Sequence, residues 1–218
     1  MRRLFLVFSM LLGLAACAAS TDDLEKPGEP LGDFRLGHAG IVAPNLEKLL
    51  VSRDATKEEW IAAVDTAVEK RFRRFEGDKY YHLGISVEAY SLPPPVVPGK
   101  SALALRVTVW DDAAGKKLNE ETEVISVIKV FESRLANTRE DQIRILADDV
   151  ALELEKWMRK MQAEKGWFGG LEANDRFGQV PALVPESVAP ETPAVPEAQA
   201  TETTTQEPAA LPETPAEG

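Results

Sequence analysis

Three stretches of the chain alternate apolar and polar residues, as strands with one buried face do. They cover residues 81–90, 103–110 and 124–131. The residues between the second and third stretch, Asp-Asp-Ala-Ala-Gly-Lys at 111–116, are typical of a turn, so these strands are predicted to form a meander. A shorter β-prone run at residues 40–44 ends in proline and predicts a first or edge strand.

Two further stretches show the three- and four-residue spacing of a helix with one apolar face. The first begins at Thr56, which forms a capping-box pattern with Glu59, and the second runs from near Thr138 to Gly166. The first apolar stripe comprises Trp60, Ile61, Val64, Val68, Phe72 and Phe75. The second comprises Ile143, Leu146, Val150, Leu154, Trp157, Met158 and Met161.

The resulting order, β-α-β-β-β-α, predicts an α+β domain over residues 38–178. We expect a small antiparallel sheet with both helices packed on one face and the other face partly wet. Trp167 and Phe168, which follow the second helix, are predicted to fold back onto the domain. A partner-docking or membrane-touching role for this aromatic pair is the alternative.

Four basic residues crowd the end of the first helix: Lys70, Arg71, Arg73 and Arg74. Cations interact favourably with the carboxyl end of a helix dipole, so the pattern favours a solvated helix end. Contact with anionic lipids is the alternative.

The first residues have the features of an export signal. Two arginines precede an apolar run at residues 4–14, which is too short to span a bilayer as a helix but has the length of a signal-peptide core. Small residues follow, and then Cys17, the only cysteine of the chain. Residues 1–16 are therefore predicted to be a signal peptide.

The segment Leu-Ala-Ala-Cys at positions 14–17 resembles the lipobox of bacterial lipoproteins. This resemblance implies cleavage before Cys17, a lipid on its sulfur, and an effectively permanent membrane anchor. By the sorting rule of enteric bacteria, Ala18 favours the outer over the inner membrane. The alternative is an ordinary cleavage site near Ala16 or Ala19 with an unmodified cysteine. We expect a lipid-anchored envelope protein that faces the periplasm.

Two segments have the composition of unfolded chain. Residues 17–37 contain several proline, glycine and acidic residues and are predicted to be a lipidated linker. Residues 179–218 are rich in Pro, Ala, Thr and Glu and lack Lys and Arg, which predicts a disordered acidic tail. This tail is expected to act as a steric brush, or alternatively as a spacer.

Charge and side-chain chemistry argue against several functions. The 25 Lys and Arg residues against 36 Asp and Glu residues give a net charge of −11, which argues against nucleic-acid binding. Of the two histidines, His38 is expected in a glycine-flanked loop and His82 on the polar face of a strand, where a histidine is more often satisfied or solvent-facing than a ligand or base. Asp111 and Asp112 are interpreted as turn residues rather than as a metal pair. We expect no enzyme activity, catalytic residue, metal or cofactor, and Cys17 is the one predicted site.

The element order over residues 40–162 is similar to that of the ABC-type transport auxiliary lipoproteins and the lipopolysaccharide-assembly lipoproteins. This similarity implies a protein-binding or accessory module of an envelope transport or assembly system, with an envelope protein as partner. A pairable strand edge at residues 41–44 favours the same interpretation. The alternatives are a structural lipoprotein whose tail acts as a spacer, and a carrier of a lipid or hydrophobic ligand in a cavity between the sheet and the helices.

Overall fold

The computed structural model describes residues 21–26, 28–49, 51–95, 97, 99–129 and 138–177. The predicted signal peptide, Cys17 and the predicted tail lie outside these residues. No helix in the described ranges has the length and apolar character needed to cross a membrane.

The described residues form an α+β fold, as the sequence predicts. Its strands are β1 (Phe34–Val42), β2 (Glu47–Lys48), β3 (Lys79–Ser91), β4 (Ser101–Asp111), β5 (Lys116–Lys117) and β6 (Glu123–Lys129). Its helices are α1 (Lys57–Phe72), α2 (Arg139–Lys165) and α3 (Glu172–Phe177). Short 3-10 turns lie at Asp22–Glu25 and Trp167–Gly169. The two-residue strands and α3 are too short to produce a periodic pattern in the sequence.

The centre of the sheet is the antiparallel pair β3 and β4. On one side β1 and β2 pair with β3, and on the other side β5 and β6 pair with β4. The expectation of a purely antiparallel sheet is wrong for β1 and β2, which run parallel to β3. Their direction follows from the helical crossover. The helix α1 returns the chain to the end of the sheet at which β1 begins, so β3 starts at that end and runs in the same direction as β1.

Both long helices pack against one face of the sheet, and the predicted apolar stripes supply most of the core. The most deeply buried core side chains include Trp60, Val64, Val68, Phe72, Leu83, Ile85, Leu105, Val107, Leu146, Val150 and Leu154. Trp167 and Phe168 are also buried, and the ring of Phe168 lies edge-on against Phe34 and Tyr81. The prediction that this aromatic pair folds back onto the domain is confirmed.

The two long helices run parallel to each other. At their amino ends Arg139 of α2 binds Glu59 of α1, and farther along Glu155 of α2 binds Arg71 in the last turn of α1. Each helix begins with a capping box, at Thr56 and at Thr138. The helix α2 ends as predicted, at Gly166, which adopts a left-handed φ of 68°.

The folded domain begins earlier than residue 38, so the predicted linker 17–37 is too long. β1 begins at Phe34, and Leu31, Phe34 and Leu36 are each at most 1% exposed. The prolines and glycines of this segment suggested unfolded chain. Gly32 uses its conformational freedom here, at φ 56°, to bring the chain against the backbone of Phe168.

Candidate functional site

A cluster of charges around the buried side chains of Arg71 and Glu155 ties the N-terminal segment to the two long helices. Arg71 of α1 is 1% exposed, and its guanidinium donates to Glu155 Oε2 at 2.8 Å and to Asp23 Oδ2 at 2.9 Å. Asp23 belongs to the 3-10 turn Asp22–Glu25 and Glu155 to α2. One arginine thus joins three separate parts of the chain.

Two more arginines complete this cluster. Arg74 donates to the same oxygen of Glu155 at 2.8 Å and to Asp23 Oδ2 at 3.0 Å. Arg159, one turn after Glu155, donates to Glu155 Oε1 at 2.9 Å and to the carbonyls of Glu29 and Pro30 at 2.8 and 3.1 Å. We call Asp23, Arg71, Arg74, Glu155 and Arg159 the N-terminal clamp.

The electrostatics of the clamp favour its charged form. Burial opposes the ionisation of Glu155, but the hydrogen bond from Arg71 and the charge of Arg159 outweigh it and lower the pKa of this carboxyl below its ordinary value. Burial likewise opposes the ionisation of Asp23, but the guanidiniums of Arg71 and Arg74 outweigh this effect and lower the pKa of its carboxyl. Burial by itself lowers the pKa of Arg71, but the hydrogen bonds to these two carboxylates outweigh it, and the pKa of Arg71 is raised. The clamp therefore holds three cations and two anions at neutral pH.

The prediction that the basic end of α1 is solvated is wrong for Arg71, which is buried in this clamp. The sequence carries one indirect sign of it. Glu155 directly follows Leu154 of the apolar stripe of α2, so a carboxylate lies at the edge of the buried face and requires a cation nearby. Arg73 is more exposed and donates to the carbonyl of Leu36 at 2.9 Å.

The face of the sheet away from the helices is open in the described part of the chain. Its central positions carry the small side chains of Gly40, Gly84, Ser86, Ala104 and Thr108. Arg106, between Ser86 and Val124, lies on the same face and pairs with Glu88 at 3.5 Å. Larger apolar side chains stand around them, with exposed fractions of 53% for Val42, 50% for Tyr80, 39% for Trp110, 52% for Val124 and 62% for Ile128. We call this surface the open sheet face.

Both histidines lie at one end of the open sheet face, on neighbouring positions of β1 and β3. The expectation of a loop at His38 is wrong, because parallel pairing with β3 extends β1 through this glycine-flanked segment. His82 lies 3.0 Å from Asp112 Oδ1, while Asp111 Oδ1 accepts from the backbone of Ala114. The predicted turn chemistry of Asp111 is thus observed, and Asp112 pairs with His82. Within the described residues no group of three or more His, Cys, Asp or Glu side chains is placed to hold a metal ion.

A surface groove of about 350 Å³ separates α1 from α2 near their amino ends. Its lining includes Ala62, Ala63, Thr66, Ala67 and Ile143. At its rim, burial raises the pKa of Asp148 despite the charges of Arg144 and Lys70. The groove is apolar along its length and acidic at its edge.

The predicted pairable edge at residues 41–44 is an outer edge of the sheet, since β1 pairs with β3 alone among the described strands. Side chains already bind two backbone carbonyl oxygens in and near this strand. Arg73 donates to the carbonyl of Leu36, and Lys57 donates to the carbonyl of Pro44 at 2.6 Å.

Neither a protein-family model nor a curated protein sequence matches the chain. Solved structures do resemble it. A candidate lipoprotein from Caulobacter crescentus is 14% identical, with a TM-score of 0.34 over 55% of this chain and 91% of that chain. A Xanthomonas campestris protein of family DUF330 is 11% identical, with a TM-score of 0.41 over 65% and 92% of the two chains.

A minor lipoprotein from Acinetobacter baumannii is 18% identical, with a TM-score of 0.27 over 53% of this chain and 92% of that chain. Proteins described as lipoproteins are thus among the structures that resemble this chain. With TM-scores below 0.5, these similarities say nothing further about what the chain does.

Proposed function

We propose that the chain is a lipid-anchored protein of the bacterial cell envelope that binds another envelope protein as an accessory module. The anchor is the lipid predicted on Cys17, within the lipobox-like segment at positions 14–17. The observation that carries the binding role is the open sheet face, on which exposed apolar side chains surround small residues and the ion pair of Arg106 with Glu88.

The geometry of the open sheet face suits a protein partner. Four neighbouring strands of about eight residues give a face of about 15 by 25 Å. This area is roughly half of the 800 Å² that each partner buries in a standard interface, so we expect a transient contact. Val124 and Ile128 project from the same strand, and with exposed fractions of 52% and 62% both would lose much of their exposed apolar surface in the contact. Gly40 and Gly84, at paired positions of β1 and β3, allow close approach of the partner there.

Anchoring is tested by metabolic labelling with a fatty-acid probe. The protein with Cys17 is expected to carry the probe and to partition with membranes and with detergent. Cys17→Ser removes the sulfur that forms the thioether, so this variant should carry no probe and stay in the aqueous phase. A Cys17→Ser variant that still carries the probe would contradict the anchor.

Binding is tested by placing a photo-reactive amino acid at single positions in cells. Val124 and Val51 offer a matched pair, because they are the same residue type with exposed fractions of 52% and 58%, and only Val124 lies on the open sheet face. We expect an adduct with a specific envelope protein from position 124 and none from position 51. Adducts of equal yield, or none from position 124, would contradict the proposal.

The groove between α1 and α2 favours a second candidate, a carrier of a small hydrophobic ligand. Its volume of about 350 Å³ lies at the lower end of the range of ligand pockets, about 300–1,000 Å³. Between the sheet and the helices, by contrast, core side chains such as Trp60 and Leu105 are fully buried. If the groove binds a ligand, the larger side chain in Ala63→Phe should abolish the binding of a fluorescent fatty acid. The thermal midpoint of unfolding should not fall. Unchanged binding in this variant would exclude the candidate.

A further inference from the structure

We infer that one end of the domain faces the membrane: the end at which α1 terminates at the N-terminal clamp and toward which α2 runs. This inference rests on the proposed lipid anchor at Cys17 and adds the orientation of the domain to it. The partner of this end is the head-group layer of the lipid bilayer.

The two ends of the domain are well defined because the long helices are parallel. Glu59 and Arg139 mark the amino ends of both helices, and the clamp residues Arg74 and Glu155 lie toward their carboxyl ends. β1 and β3 also begin at the clamp end, since β3 follows α1 directly and runs parallel to β1. The turn after β4 lies at this end as well, because Asp112 bonds to Tyr80 near the start of β3.

The chain enters the folded domain at this end and is fixed there over several residues. Asp23 is bound by Arg71 and Arg74, and the carbonyls of Glu29 and Pro30 are bound by Arg159. Leu31 then enters the core at 1% exposure. Releasing Asp23 would leave three guanidiniums around the single carboxylate of Glu155, so the charge balance holds Asp23 in place.

Chain length then limits the distance to the membrane. Asp23 is six residues after Cys17 in the sequence, and a fully extended chain of that length spans at most about 22 Å. An unfolded linker from Cys17 to residue 38 would instead reach about 70 Å and leave the domain free to turn. The clamp therefore keeps this end of the domain close to the lipid.

Aromatic side chains favour the clamp end as the end that meets the bilayer. The exposed aromatic side chains Tyr80 and Trp110 lie at the clamp end of the open sheet face, and such residues favour the membrane interface.

The test uses nitroxide labels on the acylated full-length protein, purified from membranes and placed in vesicles that contain a nickel-chelating lipid. Glu164→Cys near the carboxyl end of α2 and Glu58→Cys at the amino end of α1 replace exposed helical glutamates at opposite ends. The original cysteine is blocked by lipid, so each variant carries one label. The nickel head group is expected to relax the label at position 164 severalfold more than the label at position 58.

Equal relaxation at the two positions, or stronger relaxation at position 58, would overturn the inferred orientation. A fatty-acid probe read on the same samples separates this failure from failure of the proposed function. Probe on Cys17 with equal relaxation refutes the orientation alone, whereas absence of the probe refutes the anchor and the orientation together. In Asp23→Asn the difference between the positions should shrink while the probe remains, and an undiminished difference would show that the clamp does not set the orientation.

Discussion

The guanidinium of Arg71 is 1% exposed, so it loses its bound water on folding. Hydrogen bonds to carboxylates must take the place of that water. Arg71 does so with Glu155 and Asp23, at 2.8 and 2.9 Å. Glu155 in turn bonds to three guanidiniums through its two oxygens. At the scale of single residues, Glu155 is therefore the group whose loss leaves the most charge buried and uncompensated.

Glu155→Gln is expected to lower the free energy of unfolding by about 3–5 kcal/mol, since breaking a buried ion pair leaves the partner charge unpaired. Glu153→Gln is the matched control, because Glu153 lies in the same helix and makes an exposed ion pair with Lys156. We expect a loss of less than about 1 kcal/mol for it. Urea denaturation of both variants checks this, and losses of similar size would show that the clamp contributes little to stability.

A glycine with a left-handed backbone ends α2, and this position offers a second test at residue scale. A Cβ on Gly166 would meet no atom within 4 Å, so Gly166→Ala should cost only the strain of φ 68°, about 1 kcal/mol. At Gly40, in β1, a Cβ would meet no atom closer than 3.9 Å and φ is not left-handed. Gly40→Ala is therefore expected to be neutral or stabilising in thermal unfolding. Equal losses in the two variants would contradict this account.

At the scale of elements, Glu59 connects the starts of the two long helices. Its carboxylate accepts from the backbone of Thr56, which closes the capping box of α1, and from Arg139, the first residue of α2. The hydrogen bonds from Arg139 and then from Thr56 lower the pKa of Glu59 from 4.5 to about 2. One side chain thus caps one helix and aligns it with the other.

The lowered pKa of Glu59 makes part of the stability depend on pH. Because the folded state holds the charged form, its stabilisation is fully present above pH 4.5 and is lost as the pH falls through about 2. In Glu59→Gln the unfolding free energy should be lower at pH 7 and should change less between pH 4.5 and 2. Glu58→Gln, in the same helical turn but outside the capping box, is the control. Urea denaturation as a function of pH checks this, and parallel curves for the wild type and Glu59→Gln would refute it.

At the scale of the whole molecule, the segment before residue 38 is part of the core. The ring of Phe34 contacts four aromatic rings, which belong to Phe72, Phe75, Tyr81 and Phe168. These rings come from α1, the loop after it, β3 and the segment after α2. A domain without Phe34 would therefore lose the contact that joins these parts.

A protein that starts at residue 21 is expected to unfold cooperatively, whereas one that starts at residue 38 should lose its tertiary structure. The physical reason is the lost burial of Leu31, Phe34 and Leu36, each contributing about 1.5–3 kcal/mol. This sum is a large part of the 5–15 kcal/mol that is typical of a domain. Near-ultraviolet circular dichroism and thermal unfolding compare the two forms, and equal stability would restore the boundary at residue 38.

Local pattern by itself determined most of the elements of this protein. Apolar periodicity locates α1, α2, β3, β4 and β6, and the capping boxes at Thr56 and Thr138 mark the starts of both long helices. These features depend on residues three or four positions apart, so they can be read without knowledge of the fold. The lipobox-like segment ending in Cys17 is equally local, and its lipidation stays a prediction.

The tertiary structure alone decided the direction of β1, the burial of Arg71 and the point at which the folded chain begins. Each depends on contacts between residues far apart in sequence, such as Arg71 with Asp23 and with Glu155, 48 and 84 positions away. A run of basic residues has the same local appearance whether it is solvated or buried. Only the packing of α1 against α2 and against the N-terminal segment brings Glu155 and Asp23 to Arg71 and makes its burial stable.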